Sequence, residues 1–307
     1  MKHKTPLRRF VNRGMKAASL LHFHAQQPLA ALLADAPPPP GALTARGVYC
    51  LEVATSRPLF ARNAGFRLAP ASLVKLATAL VLLRRHPSLE DAVAVEEGDR
   101  APGSTMGLQP GDIVTYRDLL HGLLAASGND AAHVIARTLG ARDGHACGER
   151  AVTRYVSWMN DLAREVGMRR SRFVNPSGWP TRGQYSTARD LAALGAAAFS
   201  NDAIRAACGA AVHKVRVQGR SARDLTIVST VDLLGEPDVL AGKTGTAPAA
   251  GANLVLLSRS GGREIVTVLL ACAARFKSAR VIPGTDRRSD DARTLLAALG
   301  EHRDRTT

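Results

Sequence analysis

The chain has 307 residues, of which 46% are hydrophobic and 22% are charged, so it can bury one substantial core or two coupled subdomains. Its net charge of +15 comes mostly from arginine, since only seven of the 41 basic residues are lysine. The basic residues are scattered, without zinc-finger spacing or an aromatic-interleaved basic run, which disfavours nucleic acid and favours an anionic cell wall or membrane surface as a partner.

The four cysteines form no C-x-x-C pair and have no metal-ligand spacing, so we expect no metal site. Cys50 and Cys272 both lie in strand-like apolar runs. A disulfide between them would require export of the chain, and isolated buried thiols are the alternative.

Residues 1–41 read as a basic leader followed by a proline-rich linker. Six Lys or Arg stand in residues 1–16, and the weakly apolar stretch after them is a poor membrane span. Ala34-Asp35-Ala36 fits a small-residue cleavage pattern, so the leader is either a degraded signal peptide or a plain basic segment. We expect one folded domain over residues 42–300, a short tail over 301–307 and no integral membrane span.

The first chemical motif is Ser72 with Lys75, which follows a predicted hairpin of strands Val48–Val53 and Pro58–Ala61. Pro70 starts a helix that is apolar nearly all round and is therefore predicted to be buried. Three residues apart, the two side chains share one helix face. A lysine in a water-poor site loses some of its preference for the charged form, so its neutral amine can take the hydroxyl proton.

The second motif is Ser127-Gly128-Asn129, between two predicted helices. We expect Ser127 to relay a proton to the leaving group and Asn129 to hydrogen-bond the substrate amide. An ordinary C-cap glycine followed by an N-cap asparagine is the alternative interpretation. Residues 84–210 are predicted to be mainly helical, with N-caps at Thr115 and Thr187, and to form a helical subdomain.

Strands are predicted from residue 212 to Cys272, in one covered sheet, followed by a helix over Asp291–Leu299. The third motif, Lys243-Thr244-Gly245-Thr246, falls at the end of one of these strands, where the glycine permits close approach of a ligand backbone. Lys243 would supply positive charge, Thr244 a hydroxyl for a substrate carboxylate, and the Thr246 N–H would join that of Ser72 in an oxyanion hole.

Taken together, Ser-x-x-Lys, Ser-x-Asn and Lys-Thr-Gly in this order form nearly the motif set of penicillin-binding proteins and class A β-lactamases. The chain resembles the D-alanyl-D-alanine carboxypeptidases, the low-molecular-mass penicillin-binding proteins of the serine DD-peptidase family. The resemblance covers about residues 42–275 and also includes residues 119–132, 158–160, 173–178 and 185–191.

That resemblance implies an α+β fold, in which an antiparallel sheet is packed by helices and a helical subdomain is inserted between its strands. It implies that Ser72 attacks the peptide carbonyl between two D-alanines, that the terminal one leaves, and that water hydrolyses the acyl-enzyme. The implied partners are peptidoglycan stem peptides ending in D-Ala-D-Ala and β-lactam antibiotics, without a cofactor, in the periplasm or cell envelope.

Two departures leave substrate choice open, since Thr246 to Ala250 is neutral where relatives often carry an acidic residue, and Ser177 stands where His is common. The alternatives are a DD-endopeptidase of cross-links, a β-lactamase, and a non-hydrolytic wall-binding or β-lactam-sensing module. No Glu-x-x-Leu-Asn pattern stands near Phe173, and Glu165 lies in a predicted helix, which argues against a β-lactamase. The three intact motifs argue against a module without turnover.

Overall fold

The computed structural model describes residues 43–86, 88–278 and 280–304. The predicted leader, with its cleavage pattern and linker, lies outside the described residues. The last helix continues to Asp304, so the predicted tail begins inside a helix.

Eleven strands lie in the described part of the chain. They are β1 (Gly47–Glu52), β2 (Pro58–Arg62), β3 (Ala92–Ala94), β4 (Asp112–Thr115), β5 (Val212–Gly219), β6 (Arg223–Val228), β7 (Val239–Ala247), β8 (Gly251–Ser260), β9 (Arg263–Cys272), β10 (Phe276–Lys277) and β11 (Arg280–Val281).

Seven α-helices accompany them in the same described residues. They are α1 (Lys75–Arg85), α2 (Tyr116–Leu124), α3 (Asn129–Gly140), α4 (Gly148–Glu165), α5 (Ala188–Phe199), α6 (Asp202–Gly209) and α7 (Arg288–Asp304). The predicted N-caps are confirmed, because the Thr115 hydroxyl accepts from the Asp118 N–H and the Thr187 hydroxyl from the Asp190 N–H, each at 3.1 Å. None of the described helices is both long and apolar enough to cross a bilayer.

The main sheet has five antiparallel strands in the order β2-β1-β9-β8-β7. Side chains alternate between its two faces. Tyr49 and Leu51 pack into the core shared with helices α1 to α6, whereas Val48 and Cys50 pack with Leu295 of α7 on the opposite face. This sheet with helices on both faces confirms the predicted α+β fold class.

The prediction of one sheet after residue 211 is wrong for its first two strands. Strands β5 and β6 join β3 and β4 in a separate four-stranded sheet with the order β3-β4-β5-β6. This pairing is non-local, since Ile113 of β4 lies opposite Gln218 of β5. Every element between β2 and β5 except β3 and β4 is helical, and whether they form a subdomain of their own stays a prediction.

All four cysteines are free thiols, three of them buried and Cys147 exposed. The disulfide alternative is therefore absent from the structure. Burial raises the pKa of Cys50 to about 12, so this thiol is an inert core group.

Candidate active site

Ser72 lies in a 3₁₀ turn, Ala71–Val74, that leads directly into α1. The turn begins with a hydrogen bond from the Leu73 N–H to the Pro70 carbonyl (3.3 Å), and Ala71 adopts a left-handed φ of 48°. Ser72 is half-buried while its neighbours Ala71 and Leu73 are buried. The sequence placed Ser72 in the first turn of the helix itself, and the structure places it one turn earlier.

Two glycines allow other segments to approach the Ser72 turn closely. A Cβ on Gly245 of β7 would lie 2.9 Å from the Pro70 carbonyl oxygen and 3.1 Å from the Ser72 nitrogen. One on Gly178 would lie 2.0 Å from the Ala71 carbonyl oxygen, and Gly178 has φ +81°. The backbone of β7 and the 175–178 loop therefore flank the serine at distances that only glycine permits.

Lys75 is fully buried at the start of α1 and makes three hydrogen bonds through Nζ. They connect Nζ with Ser72 Oγ at 3.0 Å, Asn129 Oδ1 at 2.6 Å and the Ser177 carbonyl at 2.6 Å. The two carbonyl oxygens can only accept, so in a neutral amine they would occupy both N–H bonds. The lone pair of that neutral form would then be left for the serine hydroxyl to donate to.

The surroundings of Lys75 favour this neutral form. Burial lowers the pKa of its amine well below the usual value, and the nearby positive charge of Lys243 lowers it further, against a smaller opposite effect of Asp130. The Asp130 carboxylate does not pair with the lysine, since it accepts from the backbone N–H groups of residues 106–108 and from the Thr105 hydroxyl. This position and lowered pKa are those that a general base would require.

Ser127 lies in the short loop between α2 and α3 and has a left-handed φ of 60°. A non-glycine residue in this conformation is strained, and such strain concentrates at functional sites. Its Oγ accepts from Lys243 Nζ at 2.9 Å, and among the described residues it has no hydrogen bond to Ser72 or Lys75. Because the lysine supplies the donor, the proton of the Ser127 hydroxyl remains available for another acceptor.

Asn129 is buried at the start of α3, and both ends of its side chain have partners within the protein. Its Nδ2 donates to the Pro102 carbonyl at 2.5 Å, which fixes Oδ1 toward Lys75. In the structure this amide accepts from the lysine, and its binding of the substrate stays a prediction.

Lys243 is fully buried on β7, and burial lowers its pKa to about 7. Besides Ser127, its amine donates to the Thr244 carbonyl at 2.9 Å. The Thr244 hydroxyl hydrogen-bonds that of Thr230, which follows β6. Thr246 is exposed further along β7, an edge strand of the five-stranded sheet, so alternate backbone groups of this strand face away from β8.

Three contacts of the site escaped the sequence analysis. They are the carbonyls of Ser177 and Pro102 and the hydroxyl of Thr230. Backbone carbonyls carry no residue-type signal, so neither of the first two could have been found. Thr230 stands next to Ser229 at a strand end, which is an ordinary place for a hydroxyl residue.

Glu165 does not approach the serine in a way that would activate water. It ends α4 and forms an exposed ion pair with Arg84. Within residues 43–86, 88–278 and 280–304, no carboxylate hydrogen-bonds Ser72 or Lys75 and no cluster of His, Cys, Asp and Glu could hold a metal ion.

Comparisons with known proteins place this site in a family. Residues 33–273 match the family described as D-alanyl-D-alanine carboxypeptidase, and the chain belongs to it. The chain is 28% identical over 244 residues to the D-alanyl-D-alanine carboxypeptidase DacF of Bacillus subtilis, covering 77% of this chain and 60% of that protein. It is 31% identical over 242 residues to DacC of Escherichia coli, covering 74% of this chain and 56% of that protein.

Among solved structures, the Streptomyces K15 DD-transpeptidase superposes with a TM-score of 0.76 at 26% identity, over 84% of this chain and 97% of that one. The chain spans about 60% of the length of the curated relatives that it matches first. The predicted family resemblance is confirmed.

Proposed function

We propose that the chain is a serine-type D-Ala-D-Ala carboxypeptidase that acts on peptidoglycan stem peptides through an acyl-enzyme and is acylated by β-lactams. The observation that carries the proposal is that the buried Lys75 Nζ, whose pKa is lowered, lies 3.0 Å from Ser72 Oγ and contacts two carbonyl oxygens. In its neutral form this amine would donate to the two carbonyls and leave its lone pair for the serine proton.

Acylation begins when Ser72 Oγ attacks the carbonyl carbon of the penultimate D-alanine while its proton passes to Lys75 Nζ. The carbonyl oxygen becomes negatively charged and is stabilised by the backbone N–H groups of Ser72 and Thr246, the proposed oxyanion hole. The closeness of Gly245 to the Ser72 nitrogen supports this pairing of the two segments.

Collapse of the tetrahedral intermediate breaks the C–N bond, and the leaving amine of the terminal D-alanine takes a proton. We assign this transfer to Ser127, whose hydroxyl proton is not used by its contact with Lys243. Ser127 then regains a proton from Lys75, which took it from Ser72 in the first step. Lys243 and Thr244 hold the terminal carboxylate, and arrival of that negative charge raises the pKa of Lys243, which keeps it protonated.

Hydrolysis of the ester by water completes the cycle, with proton transfer from water to Lys75 and release of the Ser72 hydroxyl. A β-lactam opens in the same first step, but its ring nitrogen stays tethered to the acyl group and hinders water. Because no carboxylate among the described residues is hydrogen-bonded to this pair, we expect a penicillin adduct that lasts many minutes.

The proposed substrate lies in the cell wall, so the proposed location is the cell envelope, and more specifically the periplasm. The positive net charge of +15 suits an anionic wall or membrane surface. Fractionation of cells that express the chain, followed by detection with a labelled penicillin, would test the location.

Two measurements on the purified protein test the activity. Mass spectrometry after penicillin treatment should find one adduct on Ser72, and a pentapeptide ending in D-Ala-D-Ala should release one equivalent of D-alanine. The Ser72→Ala variant should show neither and retain the fold. An adduct on another residue would refute the assignment of the nucleophile, acylation without D-alanine release would favour the sensor alternative, and an adduct lifetime of seconds would favour a β-lactamase.

A further inference from the structure

A cavity of about 300 Å³ lies beside the Ser72 turn. Its lining comes from three segments, namely residues 69–71 before the serine, the 178–184 loop, and residues 249–250 in the turn between β7 and β8. Its volume is at the small end of the range for ligand pockets. A single long side chain suits it better than a second peptide chain.

The cavity lies just beyond the end of β7, so the direction of a bound peptide determines which of its residues is near the cavity. This step rests on the proposed function. A peptide whose carboxylate lies at Thr244 and whose scissile carbonyl lies at Thr246 runs antiparallel to β7. Its N-terminal residues therefore continue toward Ala247 and the turn beyond, with about 3.3 Å per residue. The residue that precedes the two D-alanines is thus the one whose side chain lies nearest to residues 249–250.

The lining combines small apolar side chains with the polar Thr181 and Gln184 and one charged residue. Its apolar part consists of alanine and proline side chains, which suit the methylene groups of an aliphatic chain. Arg182 is the charged residue of the lining, it is exposed, and among the described residues it forms no hydrogen bond or ion pair. A guanidinium without a partner in the lining of this cavity favours a carboxylate.

The loop that carries Arg182 is internally braced. Asn175 Nδ2 and Gln184 Nε2 both donate to the Trp179 carbonyl, at 2.9 and 3.0 Å, and the Gly178 N–H donates to Asn175 Oδ1 at 2.8 Å. The cavity wall is consequently formed before any ligand arrives, so little ordering of the loop opposes binding.

We propose that this cavity is a subsite for the side chain of the residue preceding the D-Ala-D-Ala end, and that it selects an aliphatic side chain that ends in a carboxylate held by Arg182. None of the described residues that line the cavity is acidic, so the lining would not repel that carboxylate.

The test compares three peptides, acetyl-X-D-Ala-D-Ala, in which X is L-2-aminoadipate, L-norleucine or L-lysine. We expect kcat/KM for the aminoadipate peptide to exceed that for the lysine peptide about tenfold or more at low ionic strength, the order of a hydrogen bond to a charged group, and the preference to shrink as salt is added. The difference should lie mainly in KM, since the side chain is held equally before and during the reaction.

In Arg182→Gln, kcat/KM for the aminoadipate peptide should fall to within about twofold of kcat/KM for the norleucine peptide, and its advantage over the lysine peptide should shrink accordingly. Arg220→Gln is the matched control, because it removes the same charge from an exposed arginine in the turn between β5 and β6, beside Gly111, and should keep the wild-type ratio. A wild-type ratio near one, or an equal ratio in wild type and Arg182→Gln, would overturn the subsite while leaving the proposed function intact. Absence of both D-alanine release and penicillin acylation would overturn the two together.

Discussion

Replacement of Lys75 by arginine tests the proposed base most directly. The pKa of an arginine side chain is about 12.5 to 13.8, so at pH 8 fewer than about one guanidinium in 10⁴ is neutral. In the wild type, burial and Lys243 lower the pKa of Lys75 well below its usual value, and its Nζ lies 3.0 Å from Ser72 Oγ. We therefore expect the rate of acylation to fall at least about 10⁴-fold, which corresponds to about 5.5 kcal/mol in the barrier.

The assay is the second-order rate of labelling by a fluorescent penicillin, measured from pH 6 to pH 9. Because only the neutral amine accepts the proton, the wild-type rate should be highest above the lowered pKa of Lys75 and should fall as the pH drops below it, whereas the Lys75→Arg rate should show no such dependence. Lys75→Met lacks both the charge and the lone pair, so comparing it with Lys75→Arg separates loss of the base from loss of folding. Lys214→Arg, on the exposed face of β5, is the control for the substitution itself and should label normally. Labelling of Lys75→Arg within about tenfold of wild type would refute Lys75 as the base.

Three further outcomes follow from the geometry. In urea titrations, Gly178→Ala should lower the free energy of unfolding by about 1–3 kcal/mol more than Gly183→Ala does. Both glycines have a left-handed φ, but only an added Cβ at Gly178 would collide with a carbonyl, that of Ala71. Equal losses in the two variants would contradict the close approach. Between pH 7 and pH 10, the free energy of unfolding of the wild type should rise by about 1.4 kcal/mol per pH unit relative to that of Lys243→Met. In this range Lys243 of the unfolded chain still binds a proton, whereas Lys243 of the folded chain, with a pKa of about 7, has released it. Parallel curves of stability against pH for the two proteins would contradict this. Thr230→Val should raise KM for a D-Ala-D-Ala peptide about threefold to tenfold with kcat little changed, and a change confined to kcat would place this hydroxyl in the chemical step.

Patterns of one or two turns predicted most of the elements, because the physical signal for each is local. The apolar run after Pro70 predicted a buried helix, and residues 75–82 of α1 are buried. Helix α6 was not predicted individually, although Asn201 caps it by accepting from the Ala203 and Ile204 N–H groups, because a helix of eight residues offers little periodicity. The sequence predicts a strand over Val239–Lys243, whereas β7 continues to Ala247. Pairing with β8 overrides the weak strand preference of its glycines.

The site was only partly predictable for the same physical reason. Residue types and their spacing indicated Ser72 with Lys75, and the structure brings these two together. The pairing of Ser127 with Lys243 spans 116 residues and depends on how the helices pack against β7, which no local pattern encodes. The engagement of Asn129 by Pro102 has the same origin.

The edge position of β7 limits the kind of chain segment that can pair with this strand. The Pro70 turn packs against Gly245, and β7 is paired on one side only, so its outward backbone N–H and C=O groups have no neighbouring strand. An extended peptide can add to such an edge through main-chain hydrogen bonds, whereas a helix has already used its backbone groups. We therefore expect extended chain ends, and not helical segments, to bind along this edge.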